Sequence, residues 1–337
     1  MNIAQTKMIQ QDNLGDAKAS EISQNLINRL SIQFEDLEYF IPIHGLVIKN
    51  LLQIGNVKIW PIDHLISEFN FYEKDDFFNN LSPYKNAVAS TLIAAEVNKS
   101  GEILRERVEK VLNILRYYSA LIYWNRPTHH IYEDGKNPSV ISNVLIRKEE
   151  NFAVFKNSTN PYLLPMEIDD VFLKIADVSH NFRYINDALS SSDRSQIQSL
   201  ILNSINWYGD ATQDMNSYSS FMKYYTAIES LLKNQAEDAK SVLPKRASLI
   251  LESVPVKRRE IKKMVINIVN ERNSIFHEGT TKELNPAYLS DLMFRISRNT
   301  IRKYIYFAEK KRLDTKDDFI AWMQSIINVD NSNIFLY

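Results

Sequence analysis

Residues 255–279 read PVKRREIKKMVINIVNERNSIFHEG, and the spacing inside this stretch decides what the second half of the chain can build. Ile261, Met264, Val265, Ile268 and Val269 recur at three- and four-residue intervals, the stripe of an amphipathic helix. Pro255 suits a first helical turn and Gly279 supplies a stop. Arg272 continues the stripe of Val265 and Ile268, so its charge starts from the buried side and needs a partner. Asn273 and His277 share a face, whereas Arg272 and His277 diverge by about 140° on an ideal helix. A loosened final turn, or a second copy of the chain, would bring those two together.

Moving outward, Phe221, Tyr224, Tyr225, Ile228, Leu231 and Leu232 mark a helix near Met215 to Lys233. LPKRASLILES (243–253) reads as a shorter one, Pro286 to Lys311 as a long one with Leu289, Leu292, Met293, Ile296 and Tyr304 inward, and Asp317 to Asn328 as the last. Four or five helices with short connections predict an up-down bundle.

The first half reads differently. IPIHGLVI (41–48) and IGNVKIW (54–60), the latter around a Gly55-Asn56 turn signal, predict a small antiparallel sheet. A helical region is expected from about Tyr84 to Trp124, with Ser100-Gly101 as a potential break and Leu104, Val108, Val111, Leu112, Leu115 and Ile122 as its buried stripe. VISNVLI (140–146) and NFAVF (151–155) are strand-like. The polar start, through about residue 30, fits a mobile arm or a short docking helix equally. The serine-rich SSSDRS (190–195) is the preferred boundary between a mixed amino-terminal domain, 1–195, and a helical bundle, 196–337. The expected class is α+β.

Length and a 45% hydrophobic content suffice for a real core. With no cysteine there is no disulfide, thiolate nucleophile or cysteine-type zinc site. No apolar run approaches the roughly 18 residues that span a bilayer, and the start lacks the layout of a signal peptide, so a cytoplasmic protein without a membrane partner is expected. Residues 196–337 hold 20 Lys and Arg against 16 Asp and Glu, a balance of +4, while the first 195 residues stand at −5. That asymmetry permits a polyanionic partner for the second half.

Glu229 lies inside the apolar face of its helix and is the expected partner for Arg272. Histidine exchanges protons near neutrality, so His277 suits proton transfer to or from a ribose hydroxyl or leaving oxygen. A guanidinium holds phosphate through a planar fork. Together they suit metal-free RNA cleavage, with the neighbouring 2′-hydroxyl attacking phosphorus and Arg272 stabilising the added charge. Lys257, Arg258, Arg259 and Lys262 at the start of the same helix, and Arg295, Arg298 and Arg302 on the next, are candidate RNA-binding cations. A solvated helix face is the commoner explanation of either group. His129 and His130 lack the accompanying carboxylates of a metal site, and no metal or cofactor is expected.

These residues resemble a known family. FMKYYTAIESLLKN (221–234), PKRASLILES (244–253) and ERNSIFHEG (271–279) follow the order of motifs in HEPN domains, of the Apea-like branch found in bacterial defence proteins, and WYGDA (207–211) is similar to that branch's lead-in. The likeness covers roughly residues 200 to 310, with a fainter one over the strands of the first half. HEPN ribonucleases carry an arginine, a polar residue directly after it, and a histidine a few residues on, here Arg272, Asn273 and His277. The resemblance implies a dimeric, metal-independent endoribonuclease whose two motifs meet between subunits, acting as a toxin or abortive-infection effector. Glu229 is then expected to position Arg272, Asn273 to orient, and the first half to sense a phage or cellular trigger. Some HEPN domains instead serve as non-catalytic nucleic-acid-binding or protein-interaction modules.

Overall fold

The computed structural model describes residues 18, 20–25, 34–68, 87–122, 131–133, 140–147, 152–159 and 165–334. Most of the expected amino-terminal arm, the His129-His130 pair and the aromatic segment 69–78 lie outside the described residues, although residues 20–25 are helical. The architecture is α+β, an antiparallel sheet followed by a helical bundle.

The sheet is built from β1 (Phe34–His44), β3 (Leu52–Ile54), β4 (Val57–Pro61), β5 (Ala87–Glu96) and β6 (Tyr132–Glu133), in the order β3-β4-β5-β1-β6. β2 (Leu46–Ile48) pairs in parallel with β9 (Met166–Ile168), and β7 (Val140–Arg147) pairs antiparallel with β8 (Phe152–Thr159). The Gly55-Asn56 turn joins β3 to β4 as expected, with Leu52 opposite Ile59 and Ile54 opposite Val57. Gly55 is required there twice over. Its φ is +56°, and an added Cβ would press on Leu189 at 3.0 Å.

One expected helix start is overturned. Residues 87–96 form a central strand, with Ile41 opposite Ala89 on one side and Lys58 opposite Ser90 on the other. AVASTLIAAE is rich in helix-favouring alanine, yet small side chains are also what a strand needs when covered on both faces, and Ala87, Val88 and Ala89 are all buried. Its hydroxyls are satisfied within the sheet: Trp60 Nε1 donates to Ser90 Oγ at 2.8 Å, and Ser90 donates on to Glu38 at 2.8 Å.

The helix that follows, α2 (Val97–Ile122), comes after the short α1 (Ile62–Glu68) and runs unbroken through Ser100-Gly101. Leu104, Val108, Val111, Leu112 and Leu115 face inward as the periodicity predicts. Residues 111–120 are buried on every side, because the sheet packs on one face of α2 and the bundle on the other. Asn113 donates to Asp210 at 2.9 Å across this seam, and Arg116 donates to Asn113 at 2.6 Å.

After α3 (Asp170–Lys174) and α4 (Ala176–Ser190), six helices make the bundle: α5 (Gln196–Gln213), α6 (Ser217–Leu232), α7 (Ala239–Leu251), α8 (Pro255–Glu278), α9 (Pro286–Lys311) and α10 (Lys316–Ile334). The sequence singles out five, and α5 is the addition. Starts are set by side-chain caps, a Ser195–Gln198 capping box for α5, Asn216 for α6, Asp238 for α7 and Asn285 for α9. Ser190–Ser195 links α4 to α5, but buried apolar side chains before and after it belong to one continuous cluster from Ile41 to Met323. Among the described residues no helix is long and apolar enough to cross a membrane.

Candidate functional site

α8 packs mainly against α7 and meets α6 only locally, so much of its surface stays open. Its inward stripe is Val265, Ile268 and Val269, all buried. The next inward position is Arg272, which is half-buried.

The expected ion pair with Glu229 does not form. Glu229 is turned along its own helix toward Lys233, 3.6 Å away at the i,i+4 position. Arg272 instead lies over two aromatic rings, its guanidinium carbon 5.5 Å from the centroid of Tyr225 and 5.0 Å from that of Phe276. Its Nη1 donates to Asn273 Oδ1 at 3.2 Å, and its buried Nε has no hydrogen-bond partner among the described residues. The Tyr225 phenol is buried, and its pKa is pushed well up by burial first and by the Glu229 charge second, with Arg272 pulling the other way. Tyr225 therefore lies within the electrostatic reach of both charges expected to pair.

Past Arg272 the helix stays regular to Glu278. Gly279 ends it in the left-handed region, φ +72°, with its N–H donating to Ile275 O at 3.0 Å. The loosened last turn considered above is absent, so within one chain Arg272 and His277 keep diverging directions. Phe276 lies between them. Its ring is 5.2 Å from the His277 ring, edge-on at 89°, and the residue is 64% exposed.

On the His277 side α8 forms one wall of a cleft of about 400 Å³. Asn267, Asn270, Asn273 and His277 line it from the helix, and Lys282 and Glu283 from the connection to α9. Glu271, only 4% exposed, ties that connection down: its carboxylate accepts the backbone N–H groups of Lys282 at 2.9 Å and Glu283 at 3.0 Å. Glu278 accepts from Ser274 at 3.2 Å and pairs with Lys282 at 3.4 Å. Neither Glu271 nor Phe276 was legible as a site residue, since a glutamate beside an arginine and a phenylalanine beside a histidine look like ordinary helix surface and core.

None of the candidate RNA-binding cations lines the cleft beside His277. Lys257, Arg258, Arg259 and Lys262 occupy the opposite end of α8, roughly 25 Å away at 1.5 Å per residue. Arg258 donates to the carbonyls of Glu252 at 2.8 Å and Ser253 at 3.0 Å, just beyond the end of α7. Arg295 is exposed and paired with Asp291. Arg298 requires correction: it is 5% exposed, its Nη1 donates to Ala120 O at 3.0 Å, and it lies over Phe294. It belongs to the seam with α2, not to a basic surface, and desolvation lowers its pKa. Arg302, one turn on, is half-buried.

No protein-family model, curated protein or solved structure matches the chain. Its chemistry is therefore read from Arg272, Phe276, Asn273, His277 and the cleft.

Proposed function

We propose that the chain is a metal-independent endoribonuclease of HEPN type, with the site at the carboxyl end of α8. The observation that carries the reading is the link from Arg272 through Asn273 into the cleft beside His277: a cation whose Nε has no partner among the described residues, an amide that holds it, and an imidazole on the amide's own face. In the proposed reaction the ribose 2′-oxygen attacks the adjacent phosphorus and loses its proton to a base. The bond to the 5′-oxygen breaks and that oxygen takes a proton from an acid, leaving a 2′,3′-cyclic phosphate and a 5′-hydroxyl. His277 serves as one of these groups, Arg272 holds the charge that develops on the phosphoryl oxygens, and Asn273 orients Arg272.

Because Arg272 and His277 diverge within one regular helix, the complete site is assigned to a homodimer in which a second copy supplies the complementary group. The carboxyl end of α8 around the exposed Phe276 is the surface proposed for that contact. A toxin or abortive-infection role in the cytoplasm, with the sheet-bearing half sensing a trigger, accords with this reading.

The divergence of Arg272 from His277 also favours a second reading, a non-catalytic nucleic-acid-binding or protein-interaction module. Incubation of purified wild type, Arg272→Ala and His277→Ala with total RNA separates the two. The expected result is new ends bearing cyclic phosphate from wild type only; cleavage undiminished in either variant rejects the assigned roles. No product from wild type, with RNA binding retained in His277→Ala, selects the module.

A further inference from the structure

The cleft beside His277 is unsuited to a phosphate. Glu271, Glu278 and Glu283 line it against one lysine, Lys282. An anion placed there meets a net negative wall. What the cleft offers is carboxamide: Asn267, Asn270 and Asn273 follow one another at three-residue steps along α8. Asn273 has its Oδ1 occupied by Arg272, which leaves its amide N–H groups for the cleft. Asn267 and Asn270 are exposed and have no side-chain partner among the described residues, so each keeps a donor and an acceptor side by side.

A neutral, planar ligand with an adjacent donor and acceptor complements such a side chain, and an exocyclic amino group suits the surrounding carboxylates. Adenine has both features, and a bidentate contact from Asn is the geometry that reads it. We propose that this cleft is a base pocket selecting adenine next to the scissile phosphate, with Asn270 and Asn267 as specificity-determining residues. The inference rests on the RNA reading above. Phosphate then lies on the Arg272 side of α8 and the base on the carboxamide side, so the two faces that diverge in one chain hold two parts of one nucleotide.

The test uses binding, so that it stands apart from catalysis. The full chain is titrated with fluorescent 2′-deoxy strands, which lack the attacking hydroxyl, each carrying one base in an otherwise abasic sequence. Adenine is expected to bind about tenfold more tightly than thymine, cytosine or guanine. Asn270→Ala and Asn267→Ala, measured separately, are each expected to shrink that preference at an unchanged melting temperature. Equal affinity for the four bases, preference for another base, absence of binding, or an adenine preference that survives both substitutions overturns the pocket. Cleavage of RNA by wild type alongside any of those results leaves the ribonuclease reading standing without it.

Discussion

The guanidinium of Arg272 lies over the ring of Tyr225, 5.5 Å from its centroid, where an ion pair with Glu229 was expected. The arginine is thus held by a ring face rather than a carboxylate, leaving its charge uncancelled and facing whatever binds. Tyr225→Phe keeps the ring and removes a buried hydroxyl with no partner among the described residues, so melting temperature and RNA cleavage are expected to stay near wild type. Tyr225→Ala is expected to cost about 3 kcal/mol in denaturant unfolding. Glu229→Ala should change cleavage little, and a large loss there would restore the carboxylate to the site.

Phe276 separates Arg272 from His277 while remaining mostly in solvent. Phe276→Ala is expected to alter unfolding free energy by less than about 0.5 kcal/mol and yet to lower cleavage or weaken self-association measured by sedimentation. Unchanged values for both would remove Phe276 from the site.

Glu271 fastens the connection after Gly279 through two backbone N–H groups. Glu271→Ala is expected to destabilise by about 2 kcal/mol, since both donors lose a charged acceptor, and to speed hydrogen exchange at Lys282 and Glu283. If exchange there is unaltered, the carboxylate is not what holds the connection.

Arg246 grips Glu237 through both carboxylate oxygens and also donates to Leu232 O at 2.7 Å, closing the connection between α6 and α7. This pairing holds the Glu237 carboxyl below its ordinary range. A depressed folded-state value means the stabilisation is fully present above the unfolded carboxyl's pKa, about 4.3, and is lost as pH falls through the folded value. Glu237→Gln is therefore expected to cost about 1 kcal/mol at pH 7, with the difference from wild type closing in stronger acid. A gap independent of pH would contradict the assignment.

Gly209 on α5 leaves no room for a methyl group, since an added Cβ would lie 2.5 Å from Asn113 Cα on α2. Backbone cannot swing aside as a side chain does, so Gly209→Ala is expected to destabilise by at least about 2 kcal/mol, read as a lowered denaturant midpoint.

What the sequence made legible was local. The stripe of α8, its Pro255 start and its Gly279 stop follow from spacing and backbone chemistry, and so does the inward start of Arg272. The partner of Arg272 did not follow, because the i,i+4 neighbour Lys233 competes for Glu229 and a tyrosine gives no charge signal. Arg298 was misplaced for a similar reason: its spacing from Arg295 and Arg302 resembles a basic strip, while its acceptor, Ala120 O, lies 178 residues away in the sequence. β5 reads as helix because burial of Ala87 to Thr91 on both faces removes the alternation that marks a strand, and alanine favours the other state.

The middle of α2 is buried on every side and clasped by both the sheet and the bundle, with Gly209 and Arg298 shaped to receive it. The chain is consequently not a pair of exchangeable modules. A fragment beginning at residue 196 would present an empty groove and an uncovered arginine, and one ending before it would carry a greasy rod into water. Any message passing from the sheet to the carboxyl end of α8 has to be delivered by strain within an undivided body, because releasing one half from the other would dismantle both.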